Sequence, residues 1–271
     1  MNGGAPGSKP KNQAWLLAGA AKPFIKALPF FYAGIVIVLA WQLLVTVTQP
    51  EKAILPPPLD VARTFIHLAS DGELAVHTAY SLARVFAAWL LSAVIAIPLG
   101  LLMGSSRRLD HIISPFIELF RPISPLAWIP MAILWFGIGE AGKIFVVFIG
   151  TFFPILLNTI VGAKGVDPVL LHAGQIFGCT SRAALFQRVV VPAALPGIVV
   201  GLRVAFGTGW AAIIAAELVA AHSGLGYLIA NGMDILRADQ VLVGMITIGL
   251  LGFLFDTLFR YLQARFGRSD A

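Results

Sequence analysis

Residues 164–203 read KGVDPVLLHAGQIFGCTSRAALFQRVVVPAALPGIVVGLR and form the longest polar interruption of an otherwise apolar sequence. They lie between two runs long enough to span a membrane, 141–163 and 193–220. The apolar spacing inside the segment fits helices, Gly178 suits a turn, and Pro192 is placed to start the next span. The pattern therefore predicts a helix, a turn at Gly178 and a second helix outside the membrane. Such an element is either a docking surface or a solvated linker, and the spacing leaves both open.

The composition is that of an integral membrane protein. Hydrophobic residues make up 58% of the 271 residues and charged residues 12%, and the mean hydropathy is +0.88. Soluble domains carry about a quarter charged residues, so this chain cannot cover itself with polar surface in water. The net charge of +6 does not indicate nucleic acid, because the basic residues lie at span ends rather than beside stacking aromatics. The single cysteine, Cys179, excludes an internal disulfide and a CxxC metal site and is predicted to pack.

Six runs reach the roughly 20 apolar residues that a membrane-spanning helix requires. They are 29–48, 76–104, 113–136, 141–163, 193–220 and 240–262. In the second run, Gly100 and Gly104 predict a close helix contact. The third run holds four prolines within 16 residues, so it cannot be one straight helix. Irregular backbone at membrane depth is tolerated only against protein or a water-filled cavity. The run is therefore predicted to line a cavity or a protein contact rather than to face lipid.

The remaining segments complete the predicted organisation. A short amphipathic helix is expected at 59–70, and a re-entrant or interfacial helix between the last two spans. The expected domains are a cytoplasmic N-terminal segment over 1–28, a single transmembrane domain over 29–262, which contains the cytoplasmic loop 164–192, and a cytoplasmic tail over 263–271. The first apolar run is expected to be a retained span rather than a signal peptide.

The basic residues at the span ends predict the orientation. With the N-terminus inside, the cytoplasmic segments hold twelve basic residues and the opposite side holds four. The first set is Lys9, Lys11, Lys22, Lys26, Arg107, Arg108, Lys164, Arg182, Arg188, Arg260, Arg265 and Arg268, and the second is Lys52, Arg63, Lys143 and Arg237. The positive-inside rule then places both termini and the polar segment in the cytoplasm, where a soluble partner can reach it.

No residue pattern indicates catalysis, a cofactor or a metal. Gly137–Lys143, GIGEAGK, matches the GxxxxGK half of a nucleotide-binding P-loop. Ile144 follows where a Ser or Thr would bind magnesium, and the motif joins two spans instead of a strand and a helix. The five histidines are scattered, and neither HExxH nor paired-carboxylate spacing occurs. The chain is therefore predicted to have no ATPase of its own and not to be an enzyme.

Charged residues inside spans are costly and usually face a cavity or a partner. Arg203 lies about ten residues into the fifth span, on the order of 15 Å deep, and Glu217 lies near its other end. Glu118 and Arg121 have the i,i+3 spacing that permits an ion pair. The candidate translocation path consists of Arg121, Trp128, Asn158, Arg203, Thr208, Trp210 and Glu217. The alternative interpretation is structural pairing for the charged members and packing for the others.

The polar segment resembles the cytoplasmic "EAA" loop of binding-protein-dependent ABC importer permeases. That pattern is Glu-Ala-Ala, three residues, Gly, and an apolar-rich helix ending in Leu-Pro. Here His172 replaces the Glu, Gly174 replaces the second Ala, and Val191 replaces the Leu before Pro192. The distance from Gly178 to Pro192 is one residue longer than usual. The stretches 124–145, 152–168, 192–218 and 224–229 further resemble the nitrate/sulfonate/taurine/bicarbonate branch, and the resemblance covers about residues 55–262.

The resemblance implies an all-α membrane protein with the type I ABC importer fold, about six transmembrane helices and a cytoplasmic coupling helix. It implies a permease in the bacterial inner membrane, in contact with lipid, that works with a second copy (expected to be identical), two cytoplasmic ATPase subunits and a periplasmic binding protein. The helix that enters the ATPase groove maps to about Ala173–Leu185. The implied docking residues are His172, Ala173, Gly174, Gly178, Cys179, Thr180, Ser181, Arg182, Leu185 and Pro192.

The expected substrate is a small anion, and Arg203 and Arg121 suit an anion path. Sulfonates such as taurine or alkanesulfonates come first, and nitrate or bicarbonate follow. A thiamine-precursor pyrimidine or riboflavin is a further alternative. An ATP-independent secondary carrier is an alternative of another class, but no repeat relates 29–136 to 141–262. A carrier also gives no reason for a folded cytoplasmic element of this size.

Overall fold

The computed structural model describes residues 32–51 and 53–266, which fold into helices without β-strands. This confirms the predicted all-α class. The helices are α1 (Tyr32–Thr48), α2 (Pro58–Ser70), α3 (Glu73–Ser105), α4 (Arg107–Phe120), α5 (Ile129–Phe136), α6 (Glu140–Lys164), α7 (Pro168–Ile176), α8 (Arg182–Leu185), α9 (Val191–Ala220), α10 (Leu225–Asp234) and α11 (Ala238–Phe266). The predicted segment 1–28 and most of the predicted tail 263–271 lie outside the described residues.

Four helices in the described part of the chain are long and apolar enough to cross a membrane. They correspond to the second, fourth, fifth and sixth predicted spans, although the fifth runs continuously from Arg182 to Ala220. The predicted first span begins outside the described residues, and its described part is α1, which falls in the class of shorter apolar helices. The predicted third span is the bent pair described next, so the count rises to five if that pair crosses the membrane.

The proline-rich third run is broken, as predicted. Its two helical parts, Arg107–Phe120 and Pro125–Phe136, meet at an angle of 80°. The second part opens with a 3-10 turn over Pro125–Trp128 before α5 begins. Proline lacks an amide hydrogen and clashes with the preceding turn of a helix, so Pro122 and Pro125 explain why α4 does not continue.

Helices α3, α6 and α9 form the centre of the fold, because small residues let their backbones approach. A Cβ at Gly100 would lie 2.8 Å from the Cβ of Thr159, and one at Gly104 would overlap the side chain of Ala163. The predicted glycine pair is thus the contact between α3 and α6. On the other face of α6, a Cβ at Gly197 of α9 would lie 2.9 Å from the Cα of Gly162. Close packing of this kind is how helices associate inside a bilayer.

Helix α10 occupies the region where a re-entrant or interfacial helix was predicted. It packs against α3, α9 and α11 and buries Leu225, Leu228 and Ile229. The predicted short helix at 59–70 is α2, and the Thr64 hydroxyl donates to a carboxylate oxygen of Asp239 in α11 at 2.6 Å. The position of α10 in the membrane stays a prediction.

Candidate functional site

The loop 164–192 folds as a helix, a turn and a second helix, as its sequence predicts. Asp167 caps α7, and its carboxylate accepts a hydrogen bond from the amide of Val169 at 2.8 Å. Ser181 caps α8, and its hydroxyl accepts from the amide of Ala184 at 3.1 Å. Such caps satisfy amide groups that have no partner inside the helix. Both helices therefore begin at a residue whose side chain caps them.

Gly178 makes the turn by ending α7 in a Schellman motif. Its φ is +95°, a conformation that costs a residue with a Cβ on the order of 1–2 kcal/mol. The amide of Cys179 donates to the carbonyl of Gly174 at 2.9 Å, and the amide of Gly178 donates to that of Gln175 at 3.3 Å. These are the two backbone hydrogen bonds that define the motif, so the glycine of the family pattern has a backbone role in this chain.

Two departures from the family pattern have structural reasons. A Cβ at Gly174 would lie 2.8 Å from a methyl of Val189 and 3.3 Å from one of Leu185, so the small residue lets α7 pack tightly on the second helix. The extra residue between Gly178 and Pro192 coincides with a π-helical turn over Phe186–Val190. A π-turn accommodates one additional residue without breaking a helix. The insertion therefore leaves the direction of α9 intact.

The tip of this element exposes apolar side chains. Ile176 is 82% exposed and Phe177 is 87% exposed, at the end of α7 beside the turn. Neither was among the implied docking residues. Of those, His172, Gly178, Thr180, Ser181, Arg182 and Pro192 are exposed, Ala173, Gly174 and Leu185 are half-buried, and Cys179 is buried. Cys179 is thus a packing residue, as predicted. Burying a large apolar side chain contributes roughly 1.5–3 kcal/mol. A partner that covered Ile176 and Phe177 would therefore gain binding free energy from both side chains.

The broken third run lines a cavity of about 480 Å³. Three predicted path residues, Arg121, Asn158 and Thr208, lie in its wall, and Arg121 is its charged member. Neither Arg121 nor Glu118 makes an ion pair with a described residue, so the permitted pair between them is not formed. The Asn158 amide donates to the Pro154 carbonyl at 2.8 Å. The Thr208 hydroxyl donates to the Gly150 carbonyl at 2.8 Å, which leaves acceptor capacity on both side chains.

The two candidate tryptophans lie elsewhere. Trp128 packs in an aromatic cluster with Phe120, Trp135 and Phe145, with ring centroids 6.2–6.4 Å apart. Trp210 is buried, and its indole N–H donates to the carbonyl of Ile248 at 3.2 Å. Neither lines the 480 Å³ cavity.

Arg203 is paired rather than free. Its Nε donates to Asp256 Oδ1 at 2.9 Å and its Nη1 to Gln263 Oε1 at 2.9 Å. These contacts join α9 to α11, and they agree with the alternative of structural pairing. Arg203 does not line the cavity that holds Arg121.

Glu217 lies in a buried network at the opposite end of α9 from the loop. Its carboxylate accepts from Arg84 Nη1 at 2.6 Å, from the Ser81 hydroxyl at 2.8 Å and from the Gly226 amide at 3.0 Å. The Arg84 guanidinium also donates to Glu140 Oε1 at 2.7 Å. The network therefore ties α3, α6, α9 and α10 together.

The sequence analysis did not select Arg84, although the signal was present. It is a charged residue inside the second predicted span, 76–104, and only 3% of its side chain is exposed. The argument that selected Arg203 and Glu217 applies to it equally. The stretch that resembles a P-loop, Gly137–Lys143, contributes to the same network. Its Lys143 is buried and donates to Glu140 at 2.9 Å.

Comparisons with known proteins show which proteins the chain is similar to. The family described as "Binding-protein-dependent transport system inner membrane component" matches residues 96–268. The chain is 37% identical to the taurine transport system permease protein TauC of Escherichia coli (strain K12), over 85% of each chain. It is 38% identical to the putative aliphatic sulfonates transport permease protein SsuC of the same strain, over 91% of this chain and 94% of that one. It is 31% identical to the nitrate import permease protein NrtB of Synechocystis, over 84% and 85%.

A solved structure gives the fold. The chain is similar to one from "Inward facing conformations of the MetNI methionine ABC transporter", with a TM-score of 0.54 and 22% identity. The match covers 67% of this chain and 92% of that one. The fold is that of a type I ABC importer transmembrane domain. The chain belongs to the family of inner-membrane permease components of binding-protein-dependent ABC importers, in its taurine, sulfonate and nitrate branch.

Proposed function

We propose that this permease forms the translocation path for a small oxyanion, a sulfonate such as taurine or an alkanesulfonate, that a periplasmic binding protein delivers. Arg121 in the wall of the 480 Å³ cavity carries the proposal. A guanidinium presents several N–H donors in a geometry that fits oxyanions. Because Arg121 has no ion-pair partner among the described residues, its donors are available to a passing anion.

The surroundings of Arg121 support this role. The rest of the cavity wall is apolar apart from Asn158 and Thr208. A cavity with one cation and few polar groups lets an anion enter without holding it tightly, which a path requires. The relatives named for taurine and aliphatic sulfonates make a sulfonate the first choice. Nitrate, for which a third relative is named, is the second candidate, because it is also a small oxyanion with a single charge.

We further propose that the exposed tip of the loop 164–192 docks on a cytoplasmic ATPase subunit. The chain has no complete P-loop, so the energy of transport has to come from a partner. The exposed Ile176 and Phe177 can anchor the contact, and the helix that begins at Arg182 runs without interruption to Ala220. Movement of the docked tip is thereby transmitted along α9 as a rigid unit.

The arrangement in the membrane completes the proposal. Lys164 contacts Asp110 at 2.6 Å, so the segments 105–111 and 164–192 share one end of the molecule. The distribution of basic residues supports a cytoplasmic position for this end and for both termini. We propose a single transmembrane domain over 29–262 between cytoplasmic segments, acting as a homodimer with two ATPase subunits.

Ligand screening of the cognate binding protein tests the substrate. The tagged chain is purified in gentle detergent, its soluble partners are identified by mass spectrometry, and the binding protein is titrated with taurine, alkanesulfonates, nitrate, bicarbonate and heterocycles. Tight binding of a sulfonate is expected. Selective binding of a neutral heterocycle would overturn the anion assignment, and recovery of the chain alone with ATP-independent transport would favour a secondary carrier.

A substitution in the cavity tests the path. We expect Arg121→Gln to reduce ATP-driven uptake into vesicles by about tenfold or more, because a lost charge-assisted hydrogen bond contributes roughly 1.5–3 kcal/mol. Glu118→Gln is the matched control, since Glu118 lies three residues before Arg121, in the last turn of α4, but outside the cavity. Equal uptake by the two variants would exclude this cavity from the path.

A further inference from the structure

A second and larger cleft lies beside the loop 164–192 and plays no part in the path proposed above. Its volume is about 1050 Å³. One wall comes from the corner between α3 and α4, and the other from the end of α6 and from α8. Two apolar spans, α3 and α6, end here at Ser105 and Lys164. The cleft therefore lies at the boundary between membrane and water, whichever side of the membrane that is.

The charged part of the cleft lining is mainly basic. Arg107, His111, Lys164 and Arg182 line the cleft together with one carboxylate, Asp110. That carboxylate is already bonded to the Lys164 ammonium at 2.6 Å. The guanidinium groups of Arg107 and Arg182 have no hydrogen bond or ion pair with the described residues. Two unneutralised guanidinium groups thus face one cavity from two different segments of the chain.

Much of the remaining lining of the cleft is apolar. It includes Leu102, Met103, Leu171, Leu185 and Phe186. Leu102 is 48% exposed, and the neighbouring outer face of α4 exposes Ile112 and Phe116 at 63% each. Basic and apolar side chains in one cleft at the membrane boundary fit a ligand with an anionic head and a hydrocarbon body.

We propose that this cleft binds an anionic phospholipid, with its headgroup phosphodiester between Arg107 and Arg182. Basic pockets between membrane helices are suited to such headgroups, and guanidinium groups form charge-assisted hydrogen bonds to phosphate oxygens. The bound lipid links the corner of α3 and α4 to the start of the helix that continues into α9. The exposed Ile176 and Phe177 do not line the cleft, so they stay available to the proposed ATPase. Two of the implied docking residues, Arg182 and Leu185, do line it, so lipid and ATPase would meet at the start of α8.

Lipid binding by the purified full-length chain tests the proposal. The unfolding temperature is followed in mixed micelles that contain dioleoyl phosphatidylglycerol or, as the zwitterionic comparison, dioleoyl phosphatidylcholine. A third series uses inorganic phosphate without added lipid. We expect a saturable rise with phosphatidylglycerol and none with the other two, since phosphatidylcholine carries no net negative charge and phosphate has no hydrocarbon body.

Two double variants test whether the lipid binds in the cleft. Arg107→Gln with Arg182→Gln removes both guanidinium groups from the cleft. Arg108→Gln with Arg188→Gln removes two exposed arginines that lie nearby in sequence but outside the cleft. A basic residue near an anionic lipid contributes roughly fivefold in affinity. We therefore expect the first pair to weaken binding of phosphatidylglycerol by about twentyfold or more, and the second pair to weaken it much less.

Each alternative outcome has a distinct meaning. Equal weakening by both pairs, or equal effects of the two lipids, would overturn the proposal in favour of non-specific lipid contact. A rise produced by inorganic phosphate that only the first pair abolishes would show a site for a soluble anion instead of a lipid. None of these readouts involves transport or ATP, so failure here is separable from failure of the proposed function.

Discussion

The two ends of α9 differ in how their charged groups are satisfied. At one end Glu217 is fully buried and accepts three kinds of donor, and the Arg84 guanidinium is shared between two carboxylates and Ser223. We call this the paired end. At the other end, the loop 164–192 exposes apolar side chains and arginines with no partner among the described residues, and we call it the projecting end. The same helix therefore begins in an open surface and finishes in a closed network.

The difference indicates two kinds of task. Buried charges are tolerable only when they are paired and hydrogen-bonded, so the paired end holds helices together and offers nothing to a ligand. The projecting end keeps its shape through caps and a Schellman turn, which leaves its side chains available to other molecules. Four substitutions test this division, from the largest expected effect to the smallest.

Glu217→Ala should destabilise the protein by about 3–5 kcal/mol. It removes the buried acceptor of Arg84, Ser81 and Gly226, and each buried donor that loses its acceptor costs roughly 1–3 kcal/mol. Arg84 keeps its ion pair with Glu140. The backbone at Gly224 approaches the Glu217 carboxylate so closely that a Cβ there would overlap it, so little room exists for rearrangement. Unfolding of the detergent-purified chain by increasing denaturant measures the effect.

Glu118→Ala is the control for that experiment. Its carboxylate is exposed and has no partner among the described residues, so its removal should change the free energy of unfolding by less than about 0.5 kcal/mol. Similar losses in both variants would show that the paired end has no special role in stability.

Phe177→Asp should weaken association with the ATPase by about thirtyfold without lowering the unfolding temperature. An aromatic anchor at the centre of an interface contributes roughly 2 kcal/mol or more, and Phe177 is 87% exposed in the isolated chain. Quantitative co-purification of the ATPase measures the effect. Ile54→Asp is the control, since Ile54 is 73% exposed but lies outside the loop. Undiminished co-purification of the Phe177 variant would assign the docking surface elsewhere.

Gly178→Ala should cost about 1–2 kcal/mol within the loop, because its φ of +95° disfavours a Cβ. No atom lies within 4 Å of that Cβ, so the loss of stability comes from the backbone conformation and not from a steric clash. Hydrogen exchange of the α7 amides should be faster by roughly five- to thirtyfold.

Gly207→Ala is the matched control with the opposite sign. Gly207 also has open space around it but lies within α9 with an ordinary helical φ, so alanine should stabilise the helix by up to about 1 kcal/mol. If Gly178→Ala left exchange unchanged, the Schellman turn would not be what holds the loop.

Lys164→Gln should change stability by less than about 1 kcal/mol. Its ion pair with Asp110 is partly exposed, with side-chain exposures of 48% and 20%, and such pairs contribute little and weaken with salt. A double-mutant cycle with Asp110→Asn at low and high salt measures the coupling free energy between the two side chains. A coupling free energy above about 2 kcal/mol that salt does not change would show that this ion pair stabilises the protein as strongly as a buried one, which would contradict the division between the two ends.

Much of the fold follows from local patterns in the sequence. Hydropathy located the four long spans because a membrane-crossing helix needs a continuous apolar run, whatever surrounds it. The prolines of the third run predicted its break, and Gly178 predicted the turn that ends α7. The resemblance to the importer permeases was likewise readable, since it depends on the order of residues in the polar loop and in four further stretches of the chain.

The candidate site was only partly predictable. Seven polar or aromatic residues were selected by depth and type, yet only Arg121, Asn158 and Thr208 share a cavity. Depth along a span says nothing about which face of the helix a residue occupies. The pairing of Arg203 with Asp256 spans 53 positions of sequence, and no local spacing predicts such a partner.

The sequence by itself determined that this chain is an all-helical membrane protein whose polar loop folds as a helix, a turn and a second helix, because spans and turns depend on neighbouring residues. Only the tertiary structure decided that Arg84 belongs with Glu217 and Glu140, and that Arg107 and Arg182 share a cleft. It also decided that the extra residue before Pro192 is taken up by a π-turn. The physical reason is that ion pairs and cavities depend on which helix faces pack together. Small residues far apart in the chain, such as Gly162 and Gly197, decide which faces can approach closely.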